Sequence, residues 1–229
     1  MNKLEYLIVG CGRSGTGFLS SLVTAAGVRC GHEEVFDVWG VRENSDLKYE
    51  SSWYAVPELY RVPDNVKVIH VVRNPRNVIS SFHRIGLLAA SPMHHVTKGN
   101  TRGFLMNACK RPKVALDRVS YVREHRRFIS RHSKVFNDEN EIRRLETYWR
   151  DWNAMIEKAL AGSNRPWVRV RIEDIENRKD EILRFLDLPT GLELKAINKN
   201  EKKYRLRPLP DYKLSGKTQS QAHGYGYNI

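Results

Sequence analysis

Leu4-Glu5-Tyr6-Leu7-Ile8-Val9, running into Gly10-Cys11-Gly12-Arg13-Ser14-Gly15-Thr16-Gly17, is the stretch from which the fold can be read. Its first six residues form a short, mostly apolar run ending in glycines, as a buried strand of a parallel sheet does. From Thr16 the period changes. Leu19, Leu22, Val23 and Ala26 fall on one helical face, and Gly27 stops the helix. Strand, glycine loop and helix in that order bring backbone N–H groups and a helix N-terminus to one point, a ready site for an anion.

Outward from this unit, Val28 to Cys30 reads as a second short strand. His32-Glu33-Glu34 then sits just past its carboxyl end, where open α/β sheets place ligands. Residues 40–65 read as loop with one helix around Ser52 to Tyr60. Val66 to Val72 (VKVIHVV) is the clearest strand of the chain, and Arg73-Asn74-Pro75 leads from it into a helix with proline in its first turn. Residues from about 85 to 135 are rich in Arg, Lys and His and lack a strand pattern, so they read as a basic helical and loop excursion over the sheet. Beyond them, Asn137 or Asp138 caps a long helix in which Ile142, Leu145, Trp149, Trp152 and Ile156 recur at helical spacing. Trp167 to Ile172 alternates as a strand, a helix follows from about 177 to 186, and the polar tail after Pro208 reads as a surface loop. The expected architecture is α/β: a three-layer fold of the P-loop type around a central, mostly parallel sheet, with residues 1–229 forming a single domain.

A chain of 229 residues supports one sizeable α/β core. Its 39 Lys and Arg against 26 Asp and Glu give a formal charge of +13, a surface that favours polyanions. Nucleic acid, an acidic membrane surface and a multiply phosphorylated cofactor all answer that description. Cys11, Cys30 and Cys109 are widely spaced and odd in number, which suggests neither a disulfide framework nor a zinc site. The apolar run at 4–9 is too short for a signal sequence, and no run reaches the length of a membrane span. The expectation is a cytoplasmic protein without a membrane span.

The glycine loop reads in three ways, of which the first is the phosphate-binding turn already described. Gly10, Gly12 and Gly15 spell G-x-G-x-x-G, with Glu33 or Glu34 about twenty residues on, as in NAD(P)-binding Rossmann-type oxidoreductases. Arg13 and Ser14, however, put bulk and charge where that fingerprint needs close backbone approach. Gly10 and Gly15 also begin a nucleotide triphosphatase loop, but Thr16 stands where its lysine belongs, so the clamp on the β- and γ-phosphates is missing. A basic nucleic-acid-binding module without catalysis is the alternative from another class, although nothing resembles a helix-turn-helix or a zinc finger.

A second constellation, Arg73-Asn74-Pro75-Arg76-Asn77-Val78-Ile79-Ser80-Ser81, begins at the carboxyl end of the best strand and decides among these readings. Arg-Asn-Pro-Arg with Ser eight residues after the first Arg resembles the 3'-phosphate motif of sulfotransferases that use 3'-phosphoadenosine-5'-phosphosulfate (PAPS). Arg13-Ser14-Gly15-Thr16 resembles that family's 5'-phosphosulfate loop. Arg171-Ile172-Glu173-Asp174-Ile175 resembles its Arg-x-Glu-Asp-Leu element, read as a structural turn. Asn77 departs from the aspartate common in the family.

The resemblance implies a PAPS-dependent sulfotransferase that transfers a sulfuryl group to an acceptor hydroxyl and releases PAP, with no metal required. It implies that Gly12, Arg13, Ser14, Gly15, Thr16 and Gly17 cradle the 5'-phosphosulfate, while Arg73 and Ser81 hold the 3'-phosphate. Arg13 would stabilise charge on the transferring group, and Glu33 is the expected catalytic base, with His32 and Glu34 as competitors. The acceptor is unidentified, an anionic molecule or a carbohydrate suiting the basic excursion, and nucleic acid is not an expected partner. His70 is expected to face a neighbour inside the sheet, and Trp149 and Trp152, at helical spacing, to be core, the alternative being part of an adenine wall.

Overall fold

The computed structural model describes residues 3–191 and 207–229. In chain order its strands are β1 (Tyr6–Val9), β2 (Cys30–His32), β3 (Phe36–Asp37), β4 (Gly40–Val41), β5 (Tyr49–Ser51), β6 (Lys67–Val72) and β7 (Trp167–Arg171). The α-helices are α1 (Thr16–Ala25), α2 (Pro75–Ile85), α3 (Met93–Thr97), α4 (Thr101–Lys110), α5 (Pro112–His132), α6 (Glu141–Ala161), α7 (Ile175–Phe185) and α8 (Gly216–Gly224). The chain divides into two compact units, one from residues 3–74 and 152–191 and the other from 75–151 and 207–229.

The first unit is built on a five-stranded parallel sheet in the order β2-β5-β1-β6-β7. Alternation along β6 sends Ile69 and Val71 to one face. There they pack with Tyr6, Ile8 and Val170 beneath Leu19, Leu22 and Val23 of α1 and Ile182 and Leu183 of α7. His70 points to the other face and bonds Asn153 of α6 at 3.0 Å, entirely buried. On that face the Trp152 indole donates to the Trp53 carbonyl at 3.1 Å. The layers are therefore helix, sheet and helix, the expected α/β arrangement of P-loop type. Counting only the strands of this sheet in chain order, the arrangement is 2-3-1-4-5. In a dinucleotide-binding fold the second strand lies directly beside the first, in the order 3-2-1-4-5-6; here β5 separates them.

Two local expectations need correction. The second strand lies at Cys30–His32 rather than 28–30, so His32 belongs to the strand and Glu33 follows it. Residues 40–65 are not simply loop: Tyr49–Ser51 is an interior strand, and the helical turn is 3-10, at Val56–Arg61. The polarity of β5 hid it. Glu50, Ser51 and Ser52 are completely buried: Ser51 donates to the Thr16 carbonyl, Ser52 to the Phe36 carbonyl, and one oxygen of Glu50 accepts from the Glu34 and Val35 amides.

The second unit is helical. Phe82 meets Tyr148 edge-on at 5.0 Å, and Trp149 meets Tyr225 edge-on at 5.7 Å, at the centre of its core. The basic excursion consists of α3, α4 and α5. The polar tail is not all loop, because Ser215 caps α8 by accepting from the Thr218 amide, and Ala222, Tyr225 and Tyr227 are buried. Among the described residues no helix is long and apolar enough to cross a membrane.

Candidate functional site

The carboxyl ends of β1, β2, β5 and β6 carry the groups that the sequence points to. Gly15, with φ 107°, is the N-cap of α1, and its carbonyl accepts from the Phe18 and Leu19 amides. The amides of Thr16 and Gly17 open the helix, ahead of any carbonyl of that helix that could accept from them, and its first turn holds no acidic residue. The loop is held from below. The Ser14 amide donates to the Cys11 carbonyl at 3.0 Å, and the Ser14 hydroxyl lies 2.7 Å from the Cys11 thiol, both side chains fully buried. Burial pushes that thiol up to about 12, so it remains protonated. Ser14 thus supports the loop through both its amide and its side chain.

The glycines here satisfy packing. A Cβ on Gly10 would lie 2.4 Å from the Val71 carbonyl oxygen, and one on Gly15 would lie 2.3 Å from Cδ1 of Ile172. Ile172 belongs to the Arg-Ile-Glu-Asp element, whose other members also brace the site. Arg171 forks onto Asp174 at 2.6 and 3.1 Å, and Glu173 accepts from the Asn74 amide at 3.2 Å. Gly15→Ala combines a left-handed backbone with a clash, so it is expected to cost about 2–4 kcal/mol of stability. Denaturant titration checks this, and Ile172→Ala in the same chain should recover part of the loss.

Arg13 and Arg73 meet at this loop. Arg73 lies just past β6 and donates to the Arg13 carbonyl at 3.0 Å. Arg13 has φ 70° and Glu33 has φ 63°, a left-handed conformation uncommon for either residue type. Such strain persists where surrounding structure enforces it, and it concentrates at working sites. For Glu33 the enforcement is visible. Its own amide bonds the Ser51 carbonyl at 3.1 Å, and the next two amides donate to one oxygen of buried Glu50 at 2.9 and 3.2 Å.

Burial raises the Glu33 carboxyl to about 7, against the lowering effects of a hydrogen bond from the Trp53 side chain and the Arg13 charge. Of its competitors, Glu34 pairs with Arg29 at 2.8 Å on the surface, and the His32 ring lies 3.9 Å from the Glu33 carboxylate with 43% of its side chain exposed. Glu33, at 24%, is the most enclosed of the three.

Glu50, Trp53 and Asp37 were not singled out in the sequence. Asp37 adds negative charge beside Glu33, and Glu50 holds the turn that carries it. The second oxygen of Glu50 has no hydrogen-bond partner, and a Cβ on Gly31 would come within 2.0 Å of it. Burial raises this carboxyl to about 7 as well, despite the amides it accepts from. A raised carboxyl binds its proton more tightly folded than unfolded. The contribution of this group to stability is therefore greatest below pH 4.5, falls as pH rises to about 7, and levels off above. Glu50→Gln should remove about 2–3 kcal/mol of that fall, read from unfolding free energies at the two ends of the range.

His70, held neutral because burial lowers it to about 3, lies inside the sheet as a structural side chain. Trp149 and Trp152 are completely buried. Ser81 is half-buried on α2, in the second unit, whereas the loop, Arg73 and Glu33 belong to the first. Among the described residues no group of three or more His, Cys, Asp or Glu is placed to hold a metal ion. Neither a scan against protein-family models nor a search of the curated proteins finds a match to this chain.

Proposed function

We propose that this chain is a sulfotransferase that takes the sulfuryl group of PAPS, passes it to an acceptor hydroxyl and releases PAP. The observation that carries this reading is the convergence at one edge of the sheet of three things: a helix N-terminus without acidic residues, two arginines tied to its loop, and a carboxyl group raised to about 7. The first two bind and neutralise an anionic donor, and the third removes a proton from an incoming hydroxyl.

In the proposed reaction the acceptor oxygen attacks sulfur while its proton passes to Glu33. The bond between sulfur and the 5'-phosphate oxygen breaks, and its electron pair leaves with PAP. Arg13 and the amides at the start of α1 stabilise the charge on the transferring group and on the departing phosphate. Arg73 and Ser81 take the 3'-phosphate, a role that rests on the Arg-Asn-Pro-Arg and Ser spacing. A carbohydrate or an anionic acceptor suits the chain's formal charge of +13, and the free thiols of Cys11, Cys30 and Cys109 suit a reducing compartment. The strand order speaks against the dinucleotide alternative, because the carboxylates after β2 stand one strand further from the glycine loop than a ribose-reading acid does.

Thermal unfolding with PAP, with NAD, with ATP and magnesium, and in buffer alone tests the proposal. Selective stabilisation by PAP is the expected result. Stabilisation by NAD but not PAP would replace the reading with a dinucleotide one.

A further inference from the structure

Helix α4 leaves apolar side chains exposed. None of its ten residues is buried, yet Leu105, Met106 and Cys109 fall on one face, with Leu105 59% and Met106 56% exposed. The first half of α5 is also exposed: its buried residues begin at Val122, while Leu116 and Val119 stand exposed on one side of the helix and Val114 and Tyr121 on the other. Single exposed apolar residues are ordinary on protein surfaces, but a run of them along two consecutive helices marks a surface that something covers.

Charge indicates what covers it. Among residues 101–134 only Asp117 and Glu124 are acidic, whereas ten positions are Lys or Arg. Arg102 and Lys110 lie on the Leu105–Met106 side of α4 at helical spacing, and Lys113 opens α5. Apolar side chains flanked by long cationic ones form the pattern of a helix lying in the interface of an anionic bilayer. There the apolar groups enter the acyl boundary and the cations remain among the headgroups. A second copy of the chain fits less well, because a self-complementary contact would set two such cationic faces against each other. Nucleic acid would use the cations but gain nothing from Leu105, Met106 and Leu116.

A neighbouring cavity extends the same chemistry. It measures about 320 Å³, shares Val119 with the exposed run, and is lined by Val96 and Val122 together with Arg123, Arg126 and Arg127. Arg126 is fixed there, stacked 4.4 Å over Phe136 and donating to the Leu87 and Ala89 carbonyls at 2.8 Å each. Apolar walls beside arginines suit an acyl segment joined to a phosphate.

We infer that α4 and the first half of α5 form a peripheral docking face for an anionic lipid surface. This inference stands independently of the proposed enzymatic reaction. The test is sedimentation with vesicles of phosphatidylcholine alone and with about a third phosphatidylglycerol, at about 0.1 M salt. The wild type is expected to sediment with the anionic vesicles only. Leu105→Gln with Met106→Gln keeps the charge unchanged and removes the apolar contacts at exposed positions, so it should lower binding about tenfold with an unaltered melting temperature. Three results would overturn the inference: no sedimentation of the wild type, equal sedimentation of the double variant, or a wild-type dimer that the double variant converts to monomer. Binding to RNA that depends on Leu105 and Met106, without vesicle binding, would equally replace the lipid surface with nucleic acid.

Discussion

Glu33→Gln is expected to lower sulfuryl transfer by about 10²–10⁴-fold while leaving PAP affinity unchanged, since a general base contributes that much and the amide cannot take the proton. The substitution is nearly isosteric, and the turn at residue 33 is held through backbone amides and Glu50, so the fold should persist. The same assignment fixes the pH profile of the wild type. The base works ionised, and burial raises it to about 7, so kcat/KM should climb about tenfold per pH unit below that value and level off above it. Both are read from PAP release with an acceptor that supports turnover. Unchanged turnover in the variant would remove Glu33 as base and turn attention to His32.

Arg73→Ala should weaken PAP binding by about 10–100-fold, the range for losing charge-assisted hydrogen bonds to a phosphate. A second consequence follows from the contact with the Arg13 carbonyl at 3.0 Å: without that support the loop loses its tie to the end of β6. The ligand-free variant should therefore melt slightly earlier as well. Arg73→Lys should recover little affinity, because an ammonium does not reproduce the planar fork of donors. Ser81→Ala, which removes one neutral hydroxyl, should have the smaller effect, and titration calorimetry with PAP ranks the three variants.

Much of the first unit was legible because its chemistry follows simple periodicity. Leu4 to Val9 and Val66 to Val72 are apolar runs that the sheet buries on both faces, and Gly15 marks the change to helical period at the residue where the backbone turns left-handed. β5 was not legible for a definite reason. An interior strand is expected to be apolar, but Glu50, Ser51 and Ser52 use their side chains as brackets: Ser51 binds the Thr16 carbonyl, Ser52 the Phe36 carbonyl, and Glu50 the amides after Glu33. Polar residues that hold the site loops in place look, in a linear reading, like loop themselves. α8 was hidden similarly by its polar sequence, since Ser215 supplies the cap and only a few residues are buried.

The site divides along the same line. Arg13, Arg73 and Glu33 each stand just past a strand, and the fold brings these three together at the carboxyl ends of β1, β6 and β2. Trp53 and Glu50 act on Glu33 from about twenty residues along the chain, and no local pattern connects them to it. The link is the strand order, which seats β5 beside both β1 and β2.

Titration calorimetry of the wild type and Arg73→Ala with PAP and with AMP asks whether the proposed site takes an adenine nucleotide bearing a 3'-phosphate. The wild type is expected to bind PAP at least about tenfold more tightly than AMP, and Arg73→Ala to remove most of that preference. Equal affinity of the wild type for the two nucleotides, or binding of neither, would contradict the proposal.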